Sequence, residues 1–185
     1  MGNKPADEFF ISVDVETAGP APSQYSMLAI GACTIQEPQQ TFYIELKPVN
    51  MDSRPESLES CNLSMEKLAS DGVEPAEALR RFEVWIKEVT PPGLKPIFVG
   101  FNASFDWMFV NDYFERFLGR NPFGHAALDI KSYYMGLTRG SWRNTTMRHL
   151  GPRYLNQQGL VHHGLRDAID QATLFRKMLA EANDS

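Results

Sequence analysis

Cysteine is scarce. Cys33 and Cys61 are the only two in 185 residues, and they stand in neither a CxxC nor any other metal-ligand spacing. The expectation is a pair of reduced structural thiols. Long apolar runs are missing too: none approaches the roughly 18 residues that a membrane helix needs. The polar start, Met1–Glu8, lacks the apolar stretch of a signal peptide. These absences predict a cytoplasmic chain with no membrane partner. Positive charge is also short, with 18 Lys+Arg against 23 Asp+Glu and a net charge of −5. Taken alone, that balance argues against a nucleic-acid-binding surface. The average hides a polarity, however. Acid is absent from Ile130–Arg166, which holds Lys131, Arg139, Arg143, Arg148, Arg153 and Arg166 together with His149, His162 and His163. A solvated basic face is the plain reading of that stretch.

What is present is ordinary globular material. Hydrophobic residues make up 43% and charged residues 22%, which excludes wholesale disorder and collagen-like or mucin-like chains. The length suits one domain, 1–185, with a core over about residues 9–180 and polar, disordered ends. Residues 9–16 (FFISVDVE), 27–35 (MLAIGACTI) and 41–47 (TFYIELK) read as three strands in close succession, the pattern of an antiparallel meander. Residues 64–69 read as a short helix. Pro75 opens a longer one, in which Ala78, Leu79, Phe82, Trp85, Ile86 and Val89 form a stripe, and Pro91-Pro92-Gly93 stops it. A buried-type strand over 96–100 precedes a helix over 104–118 with Gly119 as its cap. A short strand at 126–128 leads into a helix over 130–137. Another short helix covers 145–150, and a long one over 165–182 closes the chain. Strands followed by alternating helix and strand predict one α/β domain with a mixed five-stranded sheet flanked by helices.

The chemistry sits in the carboxylates. Asp14 and Glu16 lie two apart on the first strand, so they point to the same side while Val13 and Val15 point away. Two acids side by side on a buried strand repel each other and lose hydration, and a bound divalent cation compensates. Alone, the pair reads more readily as the solvated end of a half-exposed strand. Asp106 and Asp167 each fall in the first turn of an expected helix, where either alone would complement the helix dipole. Together the four form an oxygen-only set suited to Mg²⁺ or Mn²⁺ and to a two-metal phosphodiester site. His162 lies five residues before Asp167, with a side chain whose ordinary pKa of about 6.5 suits general-base work.

These residues fall in three motifs: Val13-Asp14-Val15-Glu16-Thr17-Ala18-Gly19, Gly100-Phe101-Asn102-Ala103-Ser104-Phe105-Asp106 and His162-His163-Gly164-Leu165-Arg166-Asp167-Ala168. In that order and at those strand and helix positions, the sequence resembles the DEDDh 3′→5′ exonuclease superfamily over roughly residues 9–180. The resemblance implies a ribonuclease-H-like fold. It implies that Asp14, Glu16, Asp106 and Asp167 hold two Mg²⁺ ions, replaceable by Mn²⁺, and that His162 activates water. The family spacing His-x4-Asp picks His162 over His163, which is left to orient the loop or face solvent. Thr17 and Asn102 are implied substrate contacts, and Arg139, Arg143, Arg148 and Arg153 are candidate phosphate contacts. Asp129 matches an aspartate common to the family but reads equally as a helix cap, so it stays outside the metal set. Phe105 and Trp107 are candidates to stack on bases, although most of that aromatic run has core spacing. Two departures stand out. Phe101 occupies a position where many relatives have His. Ala29 stands where relatives carry a Glu near the terminal nucleotide, which puts substrate preference in doubt but not the metals.

The expected activity is metal-dependent 3′→5′ hydrolysis of single-stranded DNA or RNA to nucleoside monophosphates, with nucleic-acid 3′ ends as partner. A homodimer is expected by family analogy only. Three alternatives stay open: a polymerase-bound proofreading subunit, a binding module that lost catalysis, and a different two-metal nuclease that cuts internally. A short end after the last motif favours a free-standing nuclease over the first.

Overall fold

The structure is a computed structural model that describes residues 7–155 and 163–183. Its centre is a five-stranded sheet. The strands are β1 (Glu8–Thr17), β2 (Met27–Thr34), β3 (Thr41–Glu45), β4 (Lys95–Gly100) and β5 (Ala127–Asp129), in spatial order β3-β2-β1-β4-β5. The first three form the expected antiparallel meander, and β4 and β5 extend it in parallel on the other side of β1. The helices are α1 (Pro55–Cys61), α2 (Met65–Asp71), α3 (Pro75–Val89), α4 (Ala103–Leu118), α5 (Ile130–Thr138), α6 (Met147–Tyr154) and α7 (Gly164–Asn183), with a 3-10 turn at Trp142–Asn144. None of the described helices is long and apolar enough to cross a membrane.

Alternation along the strands builds two cores. Ile11, Val13 and Val15 face α3 and α4, and pack with Phe82, Phe98, Phe109, Tyr113 and Phe114. On the other face Cys33 and Val99 meet Ile130, Leu150, Ala168 and Phe175 from α5, α6 and α7. The α3 stripe faces the sheet as its spacing requires, with Ala78, Leu79, Phe82, Ile86 and Val89 all buried. Gly119 ends α4 in the left-handed region at φ 66°, where it costs glycine nothing.

Two elements escaped the sequence pattern. Helix α1 is seven residues long with only Cys61 buried, so it shows no apolar period. The 3-10 turn at Trp142–Asn144 has no buried residue at all. The observed α6 also runs further than the expected 145–150, because Pro152 sits inside it without ending it.

Candidate active site

β1 is the central strand, antiparallel to β2 and parallel to β4. The carboxyl ends of β1 and β4 therefore open on the same side, where α/β sheets characteristically bind ligands. A cleft of about 250 Å³ lies there. It is lined by Asp14, Val15, Glu16 and Thr17 from β1, Ser57 and Ser60 from α1, Phe101 and Asn102 after β4, Phe105 and Asp106 from α4, and Asp167 from α7.

The pleat sets the carboxylates side by side. Asp14 pairs with Gly31, which pairs with Tyr43; Glu16 pairs with Ala29, which pairs with Glu45. Residues across from one another share a face. One row on this face thus reads Asp14-Gly31-Tyr43 and the next Glu16-Ala29-Glu45. Gly31 lets the start of α7 press against the sheet: a Cβ there would meet the Gly164 carbonyl carbon at 2.1 Å and the Leu165 nitrogen at 2.2 Å. That approach delivers Asp167. One ligand oxygen from each of Asp14, Glu16 and Asp167 lies within 4.8 Å of the others. Asp106 lies in the same cleft, and its Oδ1 accepts a 3.0 Å hydrogen bond from the Val15 N–H.

Electrostatics match this crowding. Burial first, then repulsion from Asp106, Glu16 and Asp167, pushes the Asp14 carboxyl well above the usual carboxylate range. Glu16 rises to about 7, chiefly by burial and then through Asp167, with a hydrogen bond from the Gly164 backbone working the other way. Asp106 also rises to about 7 by burial, against the lowering effect of the Val15 N–H. Glu16 Oε1 is a buried oxygen with no hydrogen-bond partner among the described residues. An orphaned carboxylate oxygen beside two further acids is a donor set that suits a hard divalent cation.

The framework around the acids is polar and paired. Gln171 on α7 is fully buried. Its Oε1 accepts from the Phe101 N–H at 2.9 Å and its Nε2 donates to Asp14 Oδ1 at 2.7 Å, so it ties two walls of the cleft together. Sequence reading missed it, since a helical glutamine carries no signal of burial. Asp129 acts as a fastener. Oδ1 accepts from the Ser132 N–H and hydroxyl, and Oδ2 accepts from the Ala103 N–H, which ties the starts of α5 and α4 together. Its reading as a cap holds.

The remaining candidates separate. Thr17 is buried at the cleft and donates its hydroxyl to the Gly19 carbonyl. Asn102 lines the cleft from the left-handed region, φ 66°, with its side chain free of the helix cap. Phe105 lines the cleft, whereas Trp107 packs edge-on against Phe98 in the core. The His163 ring stacks on Tyr43, ring centroids 5.1 Å apart, and the His163 backbone N–H donates to Asp167 Oδ2 at 3.3 Å, which fits an orienting role for this segment. His162 lies outside the described residues. Arg139, Arg143 and Arg148 are exposed and lie on the C-terminus of α5, the 3-10 turn and α6; none lines the cleft. Arg153 is engaged by Glu181, whose other oxygen accepts from the Tyr154 hydroxyl. Glu45 is a carboxylate that sequence reading passed over. It flanks Ala29 on the side away from Glu16, and its Oε1 accepts from the Tyr43 hydroxyl at 3.0 Å.

Comparison with known proteins agrees with this architecture. Residues 10–179 match the family described as 3'-5' exoribonuclease Rv2179c-like domain. An Escherichia coli protein named 3'-5' DNA exonuclease Cap18 is 49% identical over 169 residues, covering 91% of this chain and 90% of that protein. Ribonuclease T of Yersinia pseudotuberculosis serotype O:1b is 31% identical over 184 residues, covering 91% and 83%. Among solved structures, the nuclease domain of 3'hExo, a DEDDh family member bound to rAMP, superposes with a TM-score of 0.79 at 16% identity. It covers 97% of this chain and 95% of that one. E. coli exonuclease I in complex with a dA16 oligonucleotide gives 0.72 at 14% identity, over 96% of this chain and 42% of that one. The fold is ribonuclease-H-like, and the chain belongs to the 3'-5' exoribonuclease Rv2179c-like domain family.

Proposed function

We propose that the protein removes nucleotides from the 3′ end of single-stranded DNA or RNA, releasing nucleoside monophosphates, with Asp14, Glu16, Asp106 and Asp167 holding a pair of divalent ions. The carrying observation is the convergence of Asp14, Glu16 and Asp167 within 4.8 Å around a buried, unpartnered Glu16 oxygen. Mg²⁺ is the expected physiological ion, and Mn²⁺ the expected substitute, because every donor is a carboxylate oxygen. When bound, such a pair lowers the pKa of water and stabilises the leaving oxygen of a phosphodiester.

The chain's own residues do the rest. Gln171 holds Asp14 by one oxygen and leaves the other free for the cleft. The Val15 N–H holds Asp106 by its Oδ1. His163, seated on Tyr43, braces Asp167. His162 takes the proton from the attacking water; that role rests on the His-x4-Asp spacing. Thr17 and Asn102 bound the terminal nucleotide, while Arg139, Arg143 and Arg148 meet phosphates further along the strand. The 49%-identical relative named as a DNA exonuclease supports DNA, and the family description supports RNA.

The test is timed digestion of 5′-labelled strands with Mg²⁺, run in parallel on short RNA, long RNA, single-stranded DNA and mismatched duplex DNA. The expected product is a ladder shrinking from the 3′ end on at least one strand. Asp14→Ala should abolish it while the fold survives, since the change relieves acid repulsion. No shortening under Mg²⁺ or Mn²⁺ would sink the proposal.

A further inference from the structure

We infer that Trp142 and Lys131 form a stacking station for the substrate strand outside the carboxylate cleft, one that grips bases upstream of the terminal nucleotide. The inference rests on the exonuclease reading above and adds a second contact region to it.

Among the described residues the exposed large hydrophobics include one aromatic, Trp142, with 52% of its surface accessible. Its backbone is nonetheless held firmly. Thr145 is fully buried, and both its N–H and its hydroxyl donate to the Trp142 carbonyl, at 3.0 and 2.7 Å. The Asn144 N–H closes the turn on the Ser141 carbonyl at 3.0 Å. A ring on a fixed mount presents its face at little entropic cost when a base lands on it.

Lys131 connects this ring to the cleft. Its ammonium lies 4.3 Å from the Trp142 ring centroid and 5.9 Å from that of Phe101. Phe101 lines the carboxylate cleft. Lys131 therefore bridges a ring that lines the cleft and a ring outside its lining, so that π-face, cation and π-face adjoin. A single strand alternates flat bases with anionic phosphates, so the two patterns are complementary. Base–aromatic stacking tolerates any base, and a lysine is a point charge for a phosphate.

The surroundings select this occupant over an apolar protein surface. The neighbours of Trp142 in the chain are Gly140, Ser141, Arg143 and Asn144, and residues 130–155 contain no acid. Lys131, Arg139, Arg143 and Arg148 make no ion pair among the described residues, whereas Arg153 pairs with Glu181. Attraction between Lys131 and the indole accounts for the closeness of the two groups. It leaves more than half of the Trp142 surface uncovered.

The experiment measures binding of a fluorescein-labelled ten-nucleotide strand by anisotropy, with Ca²⁺ in place of Mg²⁺, alongside hydrolysis of the same strand and of a dinucleotide. Trp142→Ala is expected to weaken binding about tenfold, the worth of one stacked base. It should lower the ratio of kcat/KM on the ten-mer to kcat/KM on the dinucleotide by a similar factor. Trp142→Phe should recover most of both. Lys131→Met, which keeps the stem, should weaken binding and flatten its salt dependence. Thermal melting monitors the fold, and Trp142→Gln carries the same comparison if Trp142→Ala melts early. Wild-type affinity and a wild-type length ratio in the folded Trp142 variants would overturn the inference. A wild-type protein that binds the strand but shortens nothing would overturn the exonuclease reading, while the anisotropy comparison still decides on Trp142.

Discussion

Asp14, Glu16 and Asp106 all keep their protons to higher pH than free carboxylates do, because burial and mutual repulsion penalise the charged forms. The sign follows from linkage. Between the ordinary carboxylate pKa of about 4 and the folded value of about 7 for Glu16 and Asp106, the folded chain binds more protons than the unfolded one. Stability without metal therefore falls as pH rises through that window. Glu83 works in the opposite direction. Its pKa is lowered to about 2, first by hydrogen bonding to Arg120, so its contribution is lost only well below pH 5 and does not mask the effect. In EDTA the melting temperature should fall from pH 5 to pH 8. Mn²⁺ should raise it at both, and more at pH 8, where the carboxylates need not give up protons to bind. A flat or rising profile in EDTA would contradict the site electrostatics. The acids themselves were legible from their spacing. Gln171 was not, because its 2.7 Å bond to Asp14 spans 157 residues of sequence.

Elements, rather than single side chains, set the depth of the site. Helix α7 reaches the sheet only because Gly31 faces the backbone of Gly164 and Leu165. Gly31→Ala should push the start of α7 away and separate Asp167 from Asp14 and Glu16. The expected result is at least a hundredfold loss of kcat/KM together with a drop of several degrees in melting temperature. Gly136→Ala in α5 is the control: nothing lies within 4 Å of the added Cβ. Helix propensity should make it more stable by roughly 0.5–1 kcal/mol, about 2 °C for a chain of this size. Equal effects from the two changes would reject the close-approach argument. Most element boundaries followed from local pattern. Residues 75–89 carry a Pro start, an apolar stripe and a Pro-Pro-Gly stop, and α3 occupies that span. Helix α1 brings Ser57 and Ser60 to the cleft, but its seven residues bury only Cys61, so no period marks it.

Across the whole molecule, charge is arranged rather than balanced. Met1–Ser60 holds nine acids and three bases, while Ile130–Arg166 holds no acid. Two bound divalent ions would bring the net charge of −5 close to neutral. On the proposed reading, a strand entering the site would meet Lys131, Arg139, Arg143 and Arg148 as a modest local grip. Each phosphate neutralised on a single strand contributes about −0.7 to the slope of log affinity against log salt. A few contacts predict a slope of about −2 for the ten-nucleotide strand, shallower in a variant with Arg139, Arg143 and Arg148 replaced by Gln. A slope near zero in the wild type would rule out the basic stretch as the strand's path.

The sequence alone determined the α/β class, the strand meander and the four carboxylates. Those signals are local: alternation, helical stripes, and short motifs whose members lie within a few residues of one another. Tertiary structure decided what those motifs amount to. It placed α7 against Gly31 so that Asp167 joins Asp14 and Glu16. It buried Gln171 between Phe101 and Asp14, and it brought the Lys131 ammonium within reach of both the Phe101 and the Trp142 rings. The reason is physical. A close approach, a buried hydrogen bond and a shared cation each depend on distance between segments far apart in the chain, and that distance exists only once both faces of the sheet are packed.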